Sequence, residues 1–209
     1  MTGSYRLNGP NDRTLIFESR FESGNLYMAT KAGEQEYDLL MQNDTNTLGH
    51  TQWFYFQVKN TYKNFPVKFN ILNYAKPDSM FNYGMKVAVY SEKKADNESL
   101  GWHRACTDIS YFKNQIHKDG KSKYFYTLTF TYDFAYENDS VFFAYCFPYT
   151  FTDLQNDLVT IEKDKKRAPL VQRSVLCKTL GGLNCEMITI TEQQQMQPKD
   201  SRRMSSKVQ

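Results

Sequence analysis

Hydrophobic and polar residues alternate over several short stretches of this chain, which is the pattern of β-strands with one buried face. Clusters of Gly, Pro, Asn and Asp separate these stretches and predict turns. About eight or nine short strands in this arrangement predict an antiparallel, jelly-roll-like β-sandwich in a mainly β fold. The predicted strands lie within residues 15–30, 36–42, 52–60, 67–72, 85–90, 102–105, 109–112, 124–132 and 141–147, and the polar stretch 91–101 is predicted to be a loop.

Residues 141–147 are apolar at nearly every position, so this strand is expected to be buried on both faces. Pro148 lacks a backbone N–H and is expected to end the strand. Thr150, followed by Asp153, resembles a helix N-cap with an acidic residue in the first turn. One strand is therefore predicted to close the β core and to lead into a second unit.

The second predicted unit contains an amphipathic helix and a hairpin. Leu154, Leu158 and Ile161 are spaced at i, i+4 and i+7, and the helix is expected to run into a basic stretch ending at Arg167 before Pro169 breaks it. Strands at 173–177 and 187–191 would be joined through Gly181 and Gly182 in a hairpin that is marginal alone. The predicted parts are a sandwich (14–150), a helix and hairpin (151–191) and a disordered polar tail (192–209).

Two features of the sandwich indicate where a strand face meets another layer or a partner and where the backbone bulges or packs closely. In residues 52–60, Trp53 and Tyr55 make the second face aromatic, so that face is expected to meet another layer or a partner. Gly84 follows Asn82 and Tyr83, where a glycine indicates a bulge or a close backbone approach.

Composition excludes some function classes. A net charge of +3 is too small to indicate nucleic-acid binding, and no apolar run is long enough to span a bilayer. We therefore expect no nucleic-acid partner, no membrane partner and a cytoplasmic location. The four cysteines, Cys106, Cys146, Cys177 and Cys185, lack C-x-x-C spacing, which favours reduced thiols over a disulfide framework.

No catalytic or metal-ligating residue is predicted. His103 and Cys106 lack a third, orienting group, so a structural role is expected for both. Asp38, Asp44 and Asp108 show no paired-carboxylate spacing, and Gly181 and Gly182 are not followed by the Lys and Ser or Thr of a phosphate-binding loop.

Six segments in order resemble the cytosolic carboxypeptidase family, the Nna-type zinc carboxypeptidases that trim glutamates from tubulin and other proteins. The resemblance covers roughly residues 14–191. The segments are FESRFESGNL (17–26), EYDLLMQND (36–44), QWFYFQV (52–58), FNYGM (81–85), FAYCFPYTFTDL (143–154) and CKTLGGLNCEMITIT (177–191).

The resemblance implies an N-terminal β-sandwich followed by the start of an α/β zinc carboxypeptidase domain. Pro148, Tyr149 and Thr150 would lie at the junction with Tyr145, and Gly181 and Gly182 would lie in the first hairpin of the catalytic domain. The family-motif and junction residues are Trp53, Tyr55, Asn82, Tyr83, Gly84, Tyr145, Pro148, Tyr149, Thr150, Gly181 and Gly182.

The sequence departs from the family at the zinc ligands. Family members supply His-x-x-Glu and a distant His, whereas the residues three positions after the three histidines are Trp53 after His50, Cys106 after His103 and Gly120 after His117. We therefore expect no zinc in this chain, although zinc is expected in full-length members.

Three hypotheses for the function remain open. The first is an accessory domain of a glutamate-trimming carboxypeptidase, either a truncated product or a divergent paralogue, whose partner is the catalytic domain. The second is a non-catalytic module for acidic protein tails such as those of tubulin, with a microtubule or cilium association. The third is a carbohydrate-binding sandwich. An enzyme fragment should leave a large apolar patch exposed, whereas a binding module should have it covered.

Overall fold

The computed structural model of the protein describes residues 5–45, 47, 50–118 and 123–192. The chain forms two compact units, Met1–Thr150 and Phe151–Gln209, and each is described separately below. Within the described ranges, no helix is both long enough and apolar enough to cross a membrane.

The first unit is a sandwich of two five-stranded sheets. The first sheet has the spatial order β1 (Ile16–Glu18), β4 (Tyr55–Lys59), β10 (Val141–Ala144), β6 (Val87–Ser91) and β7 (His103–Ala105). The second has the order β2 (Leu26–Gly33), β3 (Glu36–Met41), β5 (Pro66–Tyr74), β9 (Tyr124–Asp133) and β8 (Thr107–His117).

All neighbouring strands in the two sheets are antiparallel except β3 and β5, which are parallel. The parallel pair departs from the purely antiparallel prediction. It arises because the chain passes from β3 through β4, in the other sheet, before it returns as β5. The mainly β sandwich itself is confirmed.

The core between the sheets is built from the inward residues of alternating strands. Phe56 and Phe143 come from the first sheet, and Phe69 and Phe130 from the second, and all four are fully buried. The ring centroids of Phe56 and Phe143 are 5.4 Å apart, and those of Phe69 and Phe143 are 5.2 Å apart. Aromatic packing across the two layers therefore holds the sandwich together.

The stretch 91–101, predicted as a loop, contains a helix, α1 (Glu92–Glu98). The helix begins there because the Ser91 side chain accepts a hydrogen bond from the Lys94 N–H at 3.0 Å. The Asp139 carboxylate accepts a second one from the Lys93 N–H at 3.1 Å. Local capping therefore forms a helix that the polar sequence did not indicate.

Three strand predictions were wrong in their ends. The central strand β10 ends at Ala144 and not at Phe147, because its partner β4 begins at Tyr55, which lies opposite Ala144. Tyr145 and Cys146 are consequently half-buried and Phe147 is exposed, so burial on both faces does not extend past Ala144. The strand predicted at 109–112 extends over the whole of β8, and the first strand candidate divides into β1 and β2, which lie in different sheets.

The second unit contains α2 (Phe151–Lys163), a short 3-10 helix (Ala168–Leu170) and an antiparallel hairpin of β11 (Val171–Lys178) and β12 (Asn184–Ile190). The predicted helix and hairpin are confirmed. The helix ends before the basic stretch, because the Asp164 carboxylate accepts hydrogen bonds from the N–H groups of Lys166 at 2.8 Å and Arg167 at 3.1 Å and so forms a turn. Residues 193–209 of the predicted polar tail lie outside the described residues.

Arg173 on β11 connects the hairpin with the helix. Its guanidinium donates to the Glu186 carboxylate of β12 at 2.9 Å, to the Gln155 side chain of α2 and to Glu162 of α2 at 3.5 Å. Leu158 of α2 is buried, as its place in the apolar spacing predicts.

Candidate functional site

The outer faces of the two sheets differ in chemistry. On the second sheet, the buried Asn70 amide donates to Glu36 and Asp38, each at 2.8 Å, and accepts from the Thr129 hydroxyl at 2.8 Å. This central polar cluster is satisfied by its own hydrogen bonds. The exposed apolar side chains of this sheet lie on its two edge strands, Tyr27 and Met28 on β2 and Phe112 and Ile116 on β8. The first sheet instead carries aromatic rings on its outer face, so that face is the stronger candidate for contact with a partner.

We call this surface the outer aromatic face. Its rings contact one another in a row: the centroid of Tyr55 is 4.8 Å from that of Phe21 and 5.8 Å from that of Trp102, and Trp102 is 5.6 Å from Tyr90. The rings shield one another in part, so most members are half-buried. The outer aromatic face comprises Phe21, Trp53, Tyr55, Tyr90, Trp102, Phe142 and Phe147.

Trp53 and Tyr55 are held by the loop that precedes β2. The Asn25 side chain donates to the Trp53 carbonyl and accepts from the Tyr55 N–H, both at 2.9 Å. The Trp53 indole N–H donates to the Ser23 carbonyl at 2.8 Å. The Asn25 bonds fix the backbone of both residues, and the indole bond fixes the Trp53 ring. Sequence reasoning missed Asn25, because an asparagine in a loop has no pattern that indicates a long-range contact.

Tyr145 begins the predicted junction and packs edge-on against core aromatic rings. Its centroid lies 5.6 Å from that of Phe81 and 6.2 Å from that of Phe54. Phe147 is 52% exposed, and the guanidinium carbon of Arg104 lies 5.5 Å from its ring centroid. Arg104 Nη1 also donates to the Tyr145 carbonyl at 2.9 Å, so one cation positions both junction residues.

Pro148 and Thr150 are half-buried, whereas Tyr149 is exposed. Thr150 immediately precedes α2, at the position where the N-cap was expected, and Asp153 lies in the first turn. Arg104 was missed by sequence reasoning, since a single arginine in a short strand carries no signal of its own.

The motif around Asn82 is a 3-10 helix (Met80–Tyr83) that ends at Gly84. Gly84 has a φ of 92°, a left-handed conformation that closes the helix and that other residues adopt only under strain. It is therefore a helix cap, and neither of the two predicted features, a bulge or a close backbone approach, is found, since a Cβ at Gly84 would meet no atom within 4 Å. The Asn82 side chain accepts from the Tyr111 N–H at 3.3 Å, so its role is structural, while Tyr83 is exposed and its hydroxyl donates to Asp78 at 3.4 Å.

Gly181 and Gly182 lie in the turn of the β11–β12 hairpin. Gly182 has a φ of 82° and its N–H donates to the Thr179 carbonyl at 2.9 Å. The pair therefore makes the tight turn. The predicted site residues thus fall into three places: the outer aromatic face with the junction, the helix ending at Gly84, and the hairpin turn.

A cavity of about 620 Å³ opens between β1 and β2, the edge strands of the two sheets. Leu26 and Tyr37 provide apolar walls, and Arg20 and Lys31 are its basic lining residues. Arg20 pairs with the Glu18 carboxylate and holds the pKa of that carboxyl at about 2, below its usual value of 4.5. Glu18 also lines the cavity and balances the charge of Arg20, so Lys31 is the lining cation that could attract an acidic group of a ligand.

The histidines do not form a zinc site. His103 lies on the edge strand of the first sheet with its Nδ1 2.9 Å from the Gly101 carbonyl. His117 ends β8 in the second sheet, and its ring centroid lies 4.4 Å from that of Tyr124. His50 precedes β4 and is exposed. In the part of the chain that the structure describes, no three His, Cys, Asp or Glu side chains are grouped to hold a metal ion. Catalytic zinc needs three protein ligands around an open position, and the described residues offer no such group.

Comparison with known proteins identifies the fold and the family. A family model described as the cytosolic carboxypeptidase N-terminal domain matches residues 17–146, which include the outer aromatic face up to Cys146. The chain belongs to this family.

The family assignment agrees with individual relatives. The chain is 43% identical over 189 residues to human (Homo sapiens) cytosolic carboxypeptidase 2, covering 90% of this chain and 21% of the relative. It is 43% identical over 180 residues to mouse (Mus musculus) cytosolic carboxypeptidase 3, covering 86% of this chain and 18% of the relative. The chain thus spans about a fifth of the length of these relatives.

Solved bacterial structures share the fold. A putative carboxypeptidase A from Shewanella denitrificans aligns with a TM-score of 0.58 at 18% identity, over 84% of this chain and 40% of that protein. A metallo-carboxypeptidase from Pseudomonas aeruginosa aligns with a TM-score of 0.56 at 18% identity, over 82% of this chain and 39% of that protein. At this identity, the likeness supports the architecture alone.

Proposed function

We propose that this cytosolic carboxypeptidase N-terminal domain serves a zinc carboxypeptidase that removes C-terminal glutamates from proteins such as tubulin. The chain supplies an accessory sandwich, and the zinc chemistry belongs to a catalytic domain on which the sandwich packs. The observation that carries the proposal is the exposed apolar surface of the second unit within a chain of this family.

The second unit buries Leu158 of α2 but leaves several apolar side chains of its hairpin exposed. Leu176, Leu180 and Ile190 are 64%, 83% and 75% exposed, and Val175 and Met187 are exposed as well. A two-stranded hairpin with one helix is marginal in water, and such a surface normally marks an interface. The hairpin therefore suits a place at the start of a larger sheet, where neighbouring strands cover it.

The first unit offers its own contact surface for a catalytic domain. The outer aromatic face ends at Phe147, which lies on the segment that leads into the second unit. Exposed Tyr149 continues this segment, and Arg104 holds Phe147 in place. Aromatic and arginine side chains are enriched in interface cores, so the face and junction fit a protein partner.

The proposal that the zinc chemistry belongs to the catalytic domain is tested first on this chain alone. Purified protein should retain no stoichiometric zinc after dialysis and should release no glutamate from a polyglutamate peptide. One bound zinc per chain together with glutamate release would overturn the proposal, because the chain would then build its own catalytic site.

The packing role is tested in a chimera. Residues of this chain replace the matching segment of human cytosolic carboxypeptidase 2, and glutamate release from a tubulin-tail peptide is measured. Phe147→Ala should lower the soluble yield and activity of the chimera, since it removes a ring at the proposed contact. Phe112→Ala is the matched control, because Phe112 is 48% exposed on the other sheet. Equal activity of the two variants would contradict packing through Phe147.

A second function, capture of acidic tails without cleavage, is favoured by the cavity beside Lys31. Lys31 lines this cavity, and its bond to Thr14 is long at 3.4 Å. A fluorescent polyglutamate peptide should then bind the chain with an affinity that Lys31→Glu weakens and that Lys123→Glu, a change outside the cavity lining, leaves unaltered. No binding at low ionic strength would exclude this function.

A further inference from the structure

The β11–β12 hairpin brings together two cysteines that are eight positions apart in the sequence. Cys177 lies directly opposite Cys185 in the antiparallel register, after a bulge between Val175 and Cys177. Both thiols are free, Cys177 is exposed and Cys185 is half-buried. Their spacing along the chain does not predict that they pair, because the bulge sets the register.

The thiols lie on the face of the hairpin opposite α2. Glu186 contacts Arg173 and Gln155, so its side chain lies on the same side as the helix. Successive side chains of a strand point to opposite faces, which places its neighbour Cys185 on the other side. Cys177, as the cross-strand partner of Cys185, shares that side.

The geometry suits a covalent bond between the two sulfurs. Residues directly opposite in antiparallel strands have Cα atoms about 4.5 or 5.5 Å apart, and both spacings lie within the range that disulfides span. The two thiols also interact with each other. The charge interaction with Cys177 is the largest cause that raises the pKa of Cys185, and a hydrogen bond between the two side chains raises it further.

We propose that Cys177 and Cys185 are a modification site that forms a reversible intramolecular disulfide on reaction with a low-molecular-weight disulfide such as oxidised glutathione. The exposed Cys177 is the attacking thiol and Cys185 is the resolving thiol. The disulfide closes a covalent loop around the hairpin turn. It links β11 to β12, which are otherwise joined by the hydrogen bonds of the antiparallel pair.

The two exchange steps balance with glutathione disulfide as the oxidant. The Cys177 thiolate attacks one sulfur of glutathione disulfide, forming a mixed disulfide and releasing one glutathione thiolate, which takes the proton that Cys177 lost. The Cys185 thiolate then attacks the Cys177 sulfur and releases the second glutathione, which takes the proton of Cys185. The protein dithiol is oxidised by two electrons and glutathione disulfide is reduced to two glutathione thiols.

The other two cysteines serve as internal controls. Cys106 lies in the core of the first unit, where burial raises the pKa of its thiol well above the usual range. It is therefore expected to resist exchange in the folded chain. Cys146 follows β10 in the first unit and is half-buried.

The test uses the full chain, reduced and then transferred to glutathione redox buffer. The protein should lose two of its four free thiols and become lighter by two hydrogens, without a glutathione adduct. Trypsin cleaves after Lys178, between the two cysteines, so the disulfide should appear as two tryptic peptides joined together. Dithiothreitol should restore both thiols.

Three variants decide the assignment. Cys177→Ser and Cys185→Ser should each fail to lose two hydrogens, and the remaining partner thiol should carry glutathione. Cys146→Ser should still form the joined peptides, which shows that a serine elsewhere has no general effect. A stable glutathione adduct on wild-type Cys177, a disulfide between two chains, or four unreacted thiols would each overturn the proposal. None of these readouts depends on glutamate release, so the accessory role and the disulfide can fail independently.

Discussion

At the scale of single residues, the buried carboxylate of Asp139 organises the approach to the central strand. It accepts hydrogen bonds from the Ser91 hydroxyl at 2.5 Å and from the Lys93 N–H at 3.1 Å. The Asp139 N–H donates to the Thr61 hydroxyl at 2.8 Å. One side chain thus connects the start of α1 with the loop before β10.

Replacing Asp139 with alanine leaves the Ser91 hydroxyl and the Lys93 N–H without this acceptor. Because unsatisfied buried groups are costly, Asp139→Ala should lower the free energy of unfolding by about 2–3 kcal/mol. Urea unfolding followed by tryptophan fluorescence measures the change. The exposed Asp133→Ala serves as control and should change the free energy by less than about 0.5 kcal/mol. A change in Asp139→Ala as small as in the control would show that water replaces the lost acceptor.

Glu18 is expected to make the stability of the sandwich depend on pH in the acidic range. Arg20 lowers the folded-state pKa of Glu18 to about 2 from 4.5. As the pH falls below 4.5, the unfolded chain takes up a proton at this site before the folded chain does, so stability present above 4.5 is lost progressively towards about 2. Glu18→Gln should therefore lose less stability than wild type over this range.

The effect of Glu18 is expected to be small, because the Arg20 side chain is largely exposed and solvent screens the pair. Thermal melts at a series of pH values measure it, with Glu34→Gln as control, since Glu34 is exposed beside the β2–β3 turn. If the melting temperatures of wild type and Glu18→Gln fall equally as the pH is lowered, this carboxylate does not contribute to the loss of stability in acid.

At the scale of elements, the alternation of apolar and polar residues predicted the strands that have an apolar inner face and a polar outer face. In β5, Val67, Phe69 and Ile71 point inward, and all three are fully buried. The helix α1 could not be predicted in this way, because EKKADNE has no apolar stripe and depends on the caps provided by Ser91 and Asp139. Strand ends were also missed, since a strand stops where its neighbour stops, and this is a property of the assembled sheet.

Arg173 is the residue expected to hold the hairpin to α2. Arg173→Gln removes the ion pair with Glu186 and the contact with Glu162, while the Leu158 side chain still packs. The amides of β11 and β12 should then exchange hydrogen faster, whereas amides of the sandwich should be unchanged. Hydrogen exchange with mass spectrometry resolves the two units.

Lys165→Gln is the matched control for Arg173, because Lys165 is an exposed cation in the turn after α2. It should leave the exchange of the hairpin at the wild-type rate. If Arg173→Gln also exchanges at that rate, then apolar packing of the helix holds the hairpin and the ion pairs contribute nothing measurable.

At the scale of the whole molecule, the sequence predicted which surface is aromatic but not how it is fixed. The period of β4 placed Trp53 and Tyr55 on its outer side, and the structure adds Trp102 and Phe147 to the same face. The contacts of Asn25 and Arg104 join segments that are distant in sequence, so no local pattern indicates them. The pairing of Cys177 with Cys185 likewise depends on one bulge.

The hydrophobic core of the sandwich is built entirely from residues between Leu15 and Tyr145. A chain ending at Thr150 should therefore fold without the second unit and unfold at the same urea concentration as the sandwich in the full chain. Both tryptophans, Trp53 and Trp102, lie in the first unit, so their fluorescence reports this transition in either chain.

A chain ending at Tyr136 is the control for the shorter fragment. It lacks β10, which lies between β4 and β6 in the first sheet and contributes the fully buried Phe143. Without β10 the first sheet is divided and the core loses its central ring, so this control should be unfolded. If the chain ending at Thr150 is equally unfolded, the sandwich needs the helix and hairpin for its stability. If it folds with an unchanged urea midpoint, the exposed apolar residues of the hairpin contribute nothing to the sandwich, which leaves them available to a catalytic domain.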